Sequence, residues 1–323
     1  METKYYSNSP HIKSNNSIKK IMINVCIALL PACIAGCVYF GWLAVAVLGL
    51  SLISAILSEA VYLLILGKKV KEIVKGFDFT SAVTGLLVGM VLSPTVPLYV
   101  PVLTSIFAII VVKMIFGGTG KNIVNPAITG RIFAFLSFGT AMTTYCLPNF
   151  TPANAQITTG ATALTELLAG KFTISNLNLF LGVGVAGCIG ETCKLALIIG
   201  GIYLVVTKVL DFKWPLIYIA VTGLTTVCLN GLNFNYFLPS ILSGGLILGA
   251  IFMATDYTTT PNTQIGNIIY FVFLGVLTAV LRQATGIEIV SFAILLGNLV
   301  VPLIDKFVKP IAFGQVKTKK ENK

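Results

Sequence analysis

Long apolar runs dominate this chain and limit what it can fold into. Ten of them have, or nearly have, the length that an α-helix needs to cross a bilayer core of about 30 Å. Only 10% of the 323 residues are charged, whereas a soluble domain carries about a quarter. The sequence therefore predicts an all-α polytopic membrane protein with about ten transmembrane helices. The predicted spans are 21–38, 42–66, 80–96, 98–116, 126–142, 178–208, 214–230, 239–255, 266–282 and 288–305.

The basic residues give a net charge of +11, and the sequence places them in tails and loops. Such clusters beside apolar runs follow the positive-inside rule, which sets membrane orientation and does not indicate a nucleic-acid partner. We expect a multi-pass protein of the cell membrane with both termini in the cytoplasm. The lysines that carry this prediction are Lys4, Lys13, Lys19, Lys20, Lys68, Lys69, Lys71, Lys75, Lys306, Lys309, Lys317, Lys319, Lys320 and Lys323.

Two short segments recur in the second half of the chain. The segment GLLVG at 85–89 matches GLILG at 245–249, and residues 120–128 share Gly, Ile, Val, Ala and Ile in register with 286–294. Five helices in each half would invert the second copy. The predicted organisation is a cytoplasmic tail at 1–20, a first five-helix repeat at 21–142, an external loop at 143–177, a second five-helix repeat at 178–305 and a basic cytoplasmic tail at 306–323.

Polar and proline-containing breaks interrupt equivalent helices of the two predicted repeats, at 92–97 and 253–261. Inverted repeats with broken helices place a binding site between the halves, since non-helical backbone at membrane depth must line a cavity or be buried in protein. A solute transporter or channel without a redox role shares these features. That alternative stays open at this point.

Few ionisable residues lie within or at the ends of the spans, where a carboxylate is costly and usually serves an ion path or a partner charge. Glu191 can also form a structural pair with Lys194, and Asp305 can simply mark a membrane interface. A glycine-rich turn at 117–120 precedes Asn122 and Asn125, which offer amides to a polar ligand, although the turn lacks P-loop spacing. The candidates for ion coupling are Asp256, Asp305, Glu191 and Glu59.

No catalytic residue and no metal centre is predicted. His11 is the only histidine, so neither a histidine metal cluster nor a Ser-His-Asp or Cys-His arrangement can be assembled. A different kind of candidate is the small, hydroxyl-rich stretch ITTGATAL at 157–164, which lies in the predicted external loop. Any of its three threonines could belong to an ordinary turn, so the stretch alone does not decide a role.

Several motifs together resemble the D subunits of the Rnf complex, which are related to the B subunit of the sodium-pumping NADH:quinone reductase. The resemblance covers essentially the whole chain, in order. A longer N-terminal extension of the B subunit is missing, which favours the Rnf family. The motifs are SPHI at 9–12, IMINV at 21–25, FGGTGKN at 116–122, NPA at 125–127, GCIGE at 187–191, FMATD at 252–256, FAILLGN at 292–298 and PLID at 302–305.

The resemblance implies a covalent flavin on ITTGATAL. The family's pattern D-x-x-[ST]-G-A-T marks a threonine that a separate flavin transferase esterifies to the phosphate of FMN. Thr159, Gly160 and Ala161 match this pattern, and Thr162 is the attachment residue. Gln156 stands where the pattern has aspartate. A threonine hydroxyl needs activation, and no activating partner is encoded nearby, which agrees with attachment by an outside enzyme.

The resemblance also implies a second flavin, partners and an activity. Riboflavin would bind non-covalently among the helices near the inner side, with Asn122, Asn125 and the break at Asp256 as candidate contacts. The expected partners are iron–sulfur and flavin subunits of an Rnf complex, the flavin transferase and membrane lipid. The expected activity is electron transfer within a ferredoxin:NAD oxidoreductase, coupled to Na⁺ or H⁺ translocation.

Overall fold

The computed structural model describes residues 17–148, 162–168, 170 and 174–309. Within these ranges every regular element is a helix, and extended pairing is limited to two isolated bridges. The α-helices are α1 (Ile18–Phe40), α2 (Trp42–Ile65), α3 (Val70–Lys75), α4 (Thr80–Met90), α5 (Tyr99–Ile106), α6 (Pro126–Ser137), α7 (Gly139–Thr143), α8 (Ala163–Leu168), α9 (Asn176–Leu181), α10 (Lys194–Val206), α11 (Lys213–Leu229), α12 (Phe237–Leu242), α13 (Leu246–Leu248), α14 (Gln264–Thr285) and α15 (Val290–Phe307). Helix α5 continues as a π-helix over Phe107–Met114, and α13 continues as one over Gly249–Met253.

The helices confirm a polytopic all-α membrane protein. Four of them, α1, α2, α14 and α15, are each long and apolar enough to cross a bilayer. The bent pair Phe234–Leu242 and Leu246–Met253, with an angle of 67° between its parts, meets the same criterion when taken together. Helices α4, α10, α11 and the continuous segment Tyr99–Met114 are shorter apolar helices. The division of the chain into two inverted repeats stays a prediction.

The predicted span 178–208 is not one helix. Helix α9 ends at Leu181 and α10 begins at Lys194, and the connecting segment folds back against the end of α4. There the backbone N–H groups of Ile189 and Gly190 donate to the carbonyls of Leu92 and Met90. Carbonyl groups at the end of α4 have no hydrogen-bond partner within that helix. The segment before α10 supplies the missing donors, as buried backbone carbonyls require.

Close helix contacts join the two halves of the chain. Helix α1 packs against α10, and α6 packs against α15. A Cβ built on Gly36 would lie 2.6 Å from the Cγ2 atom of Ile189, and one built on Gly200 would lie 2.1 Å from the carbonyl oxygen of Ala28. Only glycine allows backbones to approach this closely. Within the halves, α2 packs against α4 and α5, while α11 packs against α12 and α14.

The bundle has two ends that matter for function. We call the first the Lys113 end, where α1, α4 and α6 begin and α10 finishes around a shared cavity. The opposite end is the Thr162 end, where the hydroxyl of Tyr39, near the end of α1, donates to the carbonyl of Leu181 at 2.6 Å.

Candidate functional site

Thr162 lies at the start of α8 and is bound to the body of the bundle. Its backbone forms a parallel bridge with Ala186, in the segment that precedes α10. Its carbonyl accepts a hydrogen bond from the Thr165 hydroxyl at 2.7 Å, and its side chain is partly exposed. The motif residues Thr159, Gly160 and Ala161, as well as Gln156, lie outside the described residues.

Behind Thr162 is a small cavity of about 20 Å³. Polar and charged side chains line much of it, which is unusual inside an apolar bundle. A cavity of this size holds about one water molecule. The polar residues that line it together with Thr162 are Tyr145, Glu191, Thr192, Lys194 and Glu288.

Five buried charged side chains form a cluster, which we call the Thr162-end cluster. Glu191, Lys194 and Glu288 line the cavity, and Arg131 and Arg282 lie next to them without lining it. Arg282 forms an ion pair with Glu288 at 2.9 Å and also donates to the carbonyls of Ser240 and Ser243. Lys194 donates to the carbonyls of Glu191 and Gly244. These bonds attach α10 and α14 to the break between α12 and α13.

The glycines of that break make room for the carboxylates. A Cβ on Gly244 would lie 1.6 Å from Oε2 of Glu288, and a Cβ on Gly245 would lie 2.4 Å from Oε2 of Glu191. Gly244 also has a φ of +64°, which side chains other than hydrogen rarely adopt. Any other residue at these positions would displace a charge of the cluster.

Three members of the cluster keep unused hydrogen-bonding capacity. Oε1 of Glu191 accepts from the backbone N–H of Cys188 at 3.0 Å, while its Oε2 atom is buried and has no partner among the described residues. The guanidinium of Arg131 is 7% exposed and makes no hydrogen bond within the described part of the chain. Lys194 donates to two carbonyls there, although an ammonium group has three N–H donors.

A second site lies at the Lys113 end, in a cavity of about 120 Å³. Asn122, Asn125 and Asp256 all line it, so three residues from separate motifs come together. Nδ2 of Asn122 donates to the Thr258 hydroxyl at 3.0 Å, and that hydroxyl donates to Asp256 at 2.8 Å. Asn125 caps α6 through its Oδ1 atom and donates to the carbonyl of Met253 at 3.1 Å.

Lys113 is the cation of this second cavity. It forms a buried ion pair with Glu59 at 3.1 Å and donates to the Thr80 hydroxyl at 2.5 Å. Asp78 accepts hydrogen bonds from the Thr80 and Thr119 hydroxyls at 2.6 and 2.8 Å. Burial raises the pKa of Asp78, but the hydrogen bonds from Thr80 and Thr119 outweigh that effect, so the pKa of this carboxyl is lowered overall.

Comparison with known proteins decides the family. Residues 5–314 match the model of the NQR2, RnfD, RnfE family. The chain belongs to the NQR2, RnfD, RnfE family. This confirms the resemblance seen in its motifs.

The relatives of this NQR2, RnfD, RnfE family member are named as the D subunits of redox complexes. The one from the Na(+)-translocating ferredoxin:NAD(+) oxidoreductase complex of Acetobacterium woodii is 39% identical and covers 98% of this chain and 97% of its own length. The one from the proton-translocating ferredoxin:NAD(+) oxidoreductase complex of Clostridium ljungdahlii is 36% identical, over 95% of both chains. The one from the ion-translocating oxidoreductase complex of Stutzerimonas stutzeri is 32% identical, over 93% of both.

In this family member the four ion-coupling candidates have different surroundings. Glu59 pairs with Lys113, and Asp305 accepts hydrogen bonds from the backbone and side chain of Asn262 at 3.1 and 2.8 Å. Asp256 lies in the Lys113-end cavity and Glu191 in the Thr162-end cluster. The predicted Glu191–Lys194 pair takes another form, since Lys194 donates to the backbone carbonyl of Glu191 and not to its carboxylate.

Sequence reasoning missed most of the buried cations. The prediction that the basic residues sit in tails and loops is wrong for Lys113, Arg131, Lys194 and Arg282, which are all buried. Of these, Lys194 alone was considered within a span, as a possible partner of Glu191. A signal was present, because each of the four lies inside a predicted span. A buried cation in a membrane helix marks a partner charge as reliably as a buried carboxylate does.

Proposed function

We propose that this chain is the D subunit of an Rnf-type ferredoxin:NAD oxidoreductase, carries FMN on Thr162 and transfers electrons within that complex, coupled to Na⁺ or H⁺ translocation. Its partners would be the iron–sulfur and flavin subunits of the complex and a flavin transferase. The family membership and the names of the relatives support the complex. The placement of Thr162 supports the assignment of the site: its hydroxyl is partly exposed, its backbone pairs with Ala186, and it shares a small cavity with the buried cation Lys194.

The surroundings of Thr162 fit a phosphate ester. The hydroxyl is accessible from outside the bundle, while Lys194 supplies a cation at the same cavity. The cavity admits about one water molecule and not an isoalloxazine ring, so the ring would lie against the surface of the Thr162 end. When bound, FMN would supply electron-transfer chemistry, and the chain would position it and set its electrostatic environment.

Among the described residues, Thr162 does not have the neighbours of a self-activated nucleophile. Its Oγ1 atom lies 3.4 Å from both the backbone nitrogen and the hydroxyl of Thr165, neither of which is a base. These surroundings support attachment by a separate enzyme that activates the hydroxyl or the flavin nucleotide. This agrees with a flavin transferase as the maturation partner.

The Lys113-end cavity fits riboflavin in chemistry but not in volume. Amides and hydroxyls from Asn122, Thr258 and Thr80 could contact the polar edge of a flavin without a phosphate. The volume of about 120 Å³ is below the roughly 300 Å³ at which pockets begin to hold ligands of this size. A neighbouring cavity of about 360 Å³ shares Val209, Leu210, Thr255 and Tyr257 with it, so binding would require that wall to move.

Placement in the cell membrane with both termini in the cytoplasm completes the proposal. The Thr162 end then faces outward and the Lys113 end faces the cytoplasm, with lipid around the exposed apolar helix faces. Glu191 and Asp256 are the ion-coupling candidates to test first, because Glu59 and Asp305 already have strong partners. Relatives named for Na⁺ and for protons are both similar to this chain, so similarity alone does not choose the ion.

Mass spectrometry of the peptide 149–171 tests the proposal directly. We expect the mass of FMN, less one water, on the wild-type peptide, and yellow protein whose fluorescence survives denaturation. Thr162→Ala should lose this addition while remaining in the membrane. Thr165→Ala is the matched control, since it removes the neighbouring hydroxyl and should keep the flavin. A colourless wild-type protein without the addition, produced together with its transferase, would favour the transporter or channel alternative.

A further inference from the structure

The Thr162-end cluster contains more positive than negative charge. Arg131, Lys194 and Arg282 are cations at neutral pH, while Glu191 and Glu288 are the only carboxylates among the described residues of the cluster. One positive charge therefore lacks a buried partner. Glu166 on α8 is partly exposed, so water screens its charge. An unpaired charge that is buried in an apolar bundle is strongly unfavourable.

Lys194 is the cation of the cluster that lines the cavity without a carboxylate partner among the described residues. Arg282 is paired with Glu288. A guanidinium nitrogen of Arg131 and Oε2 of Glu191 both lie within 4 Å of the position that a Cβ on Gly245 would take. Lys194, in contrast, donates only to two neutral carbonyls. It is 3% exposed and lines the same small cavity as Thr162. Tyr145 lines that cavity too, and its hydroxyl has no hydrogen-bond partner in the part of the chain that is described. Two unused donors therefore face the space beside the Thr162 hydroxyl.

A phosphate attached to Thr162 would supply the missing charge. Once esterified to both the threonine and the flavin side chain, a phosphate keeps one ionised oxygen and carries one negative charge. Arg and Lys donors make their strongest hydrogen bonds to such charged oxygens. Water occupying the cavity could satisfy the donors but could not neutralise Lys194.

We propose that Lys194 and Tyr145 receive the phosphate that joins the flavin to Thr162, and that this phosphate neutralises the Thr162-end cluster. The inference rests on the proposed attachment of FMN to Thr162 and extends it to residues outside the attachment motif. Flavin attachment then has a second effect besides adding a redox group. The phosphate balances the excess positive charge where α10 and α14 meet the break between α12 and α13. The chain without flavin keeps a buried uncompensated cation and is less stable.

The test compares the full-length chain produced with and without the flavin transferase. The thermal unfolding midpoint of each form is measured in lipid nanodiscs for wild type, Lys194→Met, Tyr145→Phe and Lys213→Met. Lys213 is an exposed cation at the start of α11 and serves as the charge control. For each variant, the unfolding midpoint of the form without flavin is subtracted from that of the form with flavin. The loss of Lys194's own hydrogen bonds affects both forms and therefore cancels.

We expect attachment to raise the wild-type and Lys213→Met midpoints by several degrees. The gain should be largely lost in Lys194→Met and reduced in Tyr145→Phe. The reduction potential of the attached flavin is a second readout, and it should fall in Lys194→Met because a nearby cation favours the electron-rich reduced form. Lys213→Met should leave the potential unchanged.

Wild type and Lys194→Met could both carry flavin on Thr162 and show the same rise in unfolding midpoint and the same reduction potential. That result would overturn the inference but leave the proposed function standing. Wild-type protein without flavin on Thr162 would overturn both. Should Lys194→Met not accumulate in the membrane, Tyr145→Phe decides alone, since it removes a single hydroxyl. If flavin attachment raises the unfolding midpoint of Tyr145→Phe as much as that of wild type, the phosphate contact is rejected.

Discussion

Lys113 and Glu59 form an ion pair inside the bundle, with Nζ 3.1 Å from Oε1 and side-chain exposures of 3% and 13%. The pair joins α2 to the π-helical part of Tyr99–Met114, and a third bond from Lys113 to Thr80 adds the start of α4. At the Thr162 end, Arg282 and Glu288 form the other ion pair of the described residues. Each end of the bundle therefore contains one buried pair; the first joins separate helices, and the second joins α14 to the turn that follows it.

Breaking the first pair should destabilise the protein strongly. Glu59→Gln leaves Lys113 as a buried cation without its counter-charge, and we expect a loss of about 3 kcal/mol, the lower end of the range for buried pairs because Glu59 keeps some exposure. Chemical unfolding in detergent measures the change. The double variant Glu59→Gln/Lys113→Met should recover much of the loss. Glu72→Gln on α3 is exposed and provides the control; a similar loss there would contradict the prediction.

Gly244 should tolerate alanine far less well than another glycine with the same backbone. Gly231 has a φ of +70° and nothing within 4 Å of a built Cβ, while Gly244 has a φ of +64° and the Glu288 carboxylate in that place. Gly231→Ala should cost about 1–2 kcal/mol, from the left-handed backbone alone. Gly244→Ala should cost clearly more, because it also displaces Glu288 from Arg282. Equal unfolding free energies for the two variants would show that the contact with Glu288 does not matter.

Asn125 has two roles that substitutions can separate. Asn125→Asp keeps the side-chain oxygen that caps α6 but loses the donor to Met253, whereas Asn125→Ala loses both. We expect Asn125→Ala to lose about 1 kcal/mol from the cap in addition to the loss of the contact. Unfolding measurements at neutral pH give the two costs. If the aspartate variant is as stable as wild type, the bond to Met253 does not hold the two halves together.

The protein should become less stable on acidification through Asp78. Its pKa is lowered in the folded state, so the unfolded state binds the proton more tightly. The stabilisation is therefore complete above the unfolded pKa of about 3.9 and is lost as the pH falls through the folded pKa. Asp78→Asn should lower the thermal unfolding midpoint at pH 7. It should also make that midpoint depend less on pH below about 4. A variant that keeps the full wild-type acid dependence would falsify this assignment.

The general architecture could be predicted from sequence because apolar length and helix breaks are local signals. Nine predicted spans overlap the observed apolar helices, and the breaks after Met90 and before Asp256 lie where proline and polar residues predicted them. Glycine-rich breaks were expected within the span 178–208, but their position between Leu181 and Lys194 could not be predicted. The pairing that holds this segment in a non-helical conformation is with Met90 and Leu92, about a hundred residues away in the chain.

The candidate sites could be predicted only in part, for a similar reason. Asn122, Asn125 and Asp256 were chosen as polar residues at helix breaks, and they do share a cavity. The cluster behind Thr162 could not be assembled from sequence, because Arg131 on α6, Lys194 on α10 and Glu288 in the turn after α14 come together only through the tertiary fold. Motif matching chose a threonine, and only the structure shows which charges surround it.

The glycine contacts that α1 makes with α10 and with the segment before it restrict how the two halves of the chain can move relative to each other. Transporters that alternate access by rocking need an interface that can slide, yet Gly36 and Gly200 bring the backbones of opposite halves into direct contact. Rigid-body rotation about this line would drive these backbone segments into each other. Under the proposed function, charge movement through this subunit would follow small displacements of side chains and broken segments instead of large domain motion.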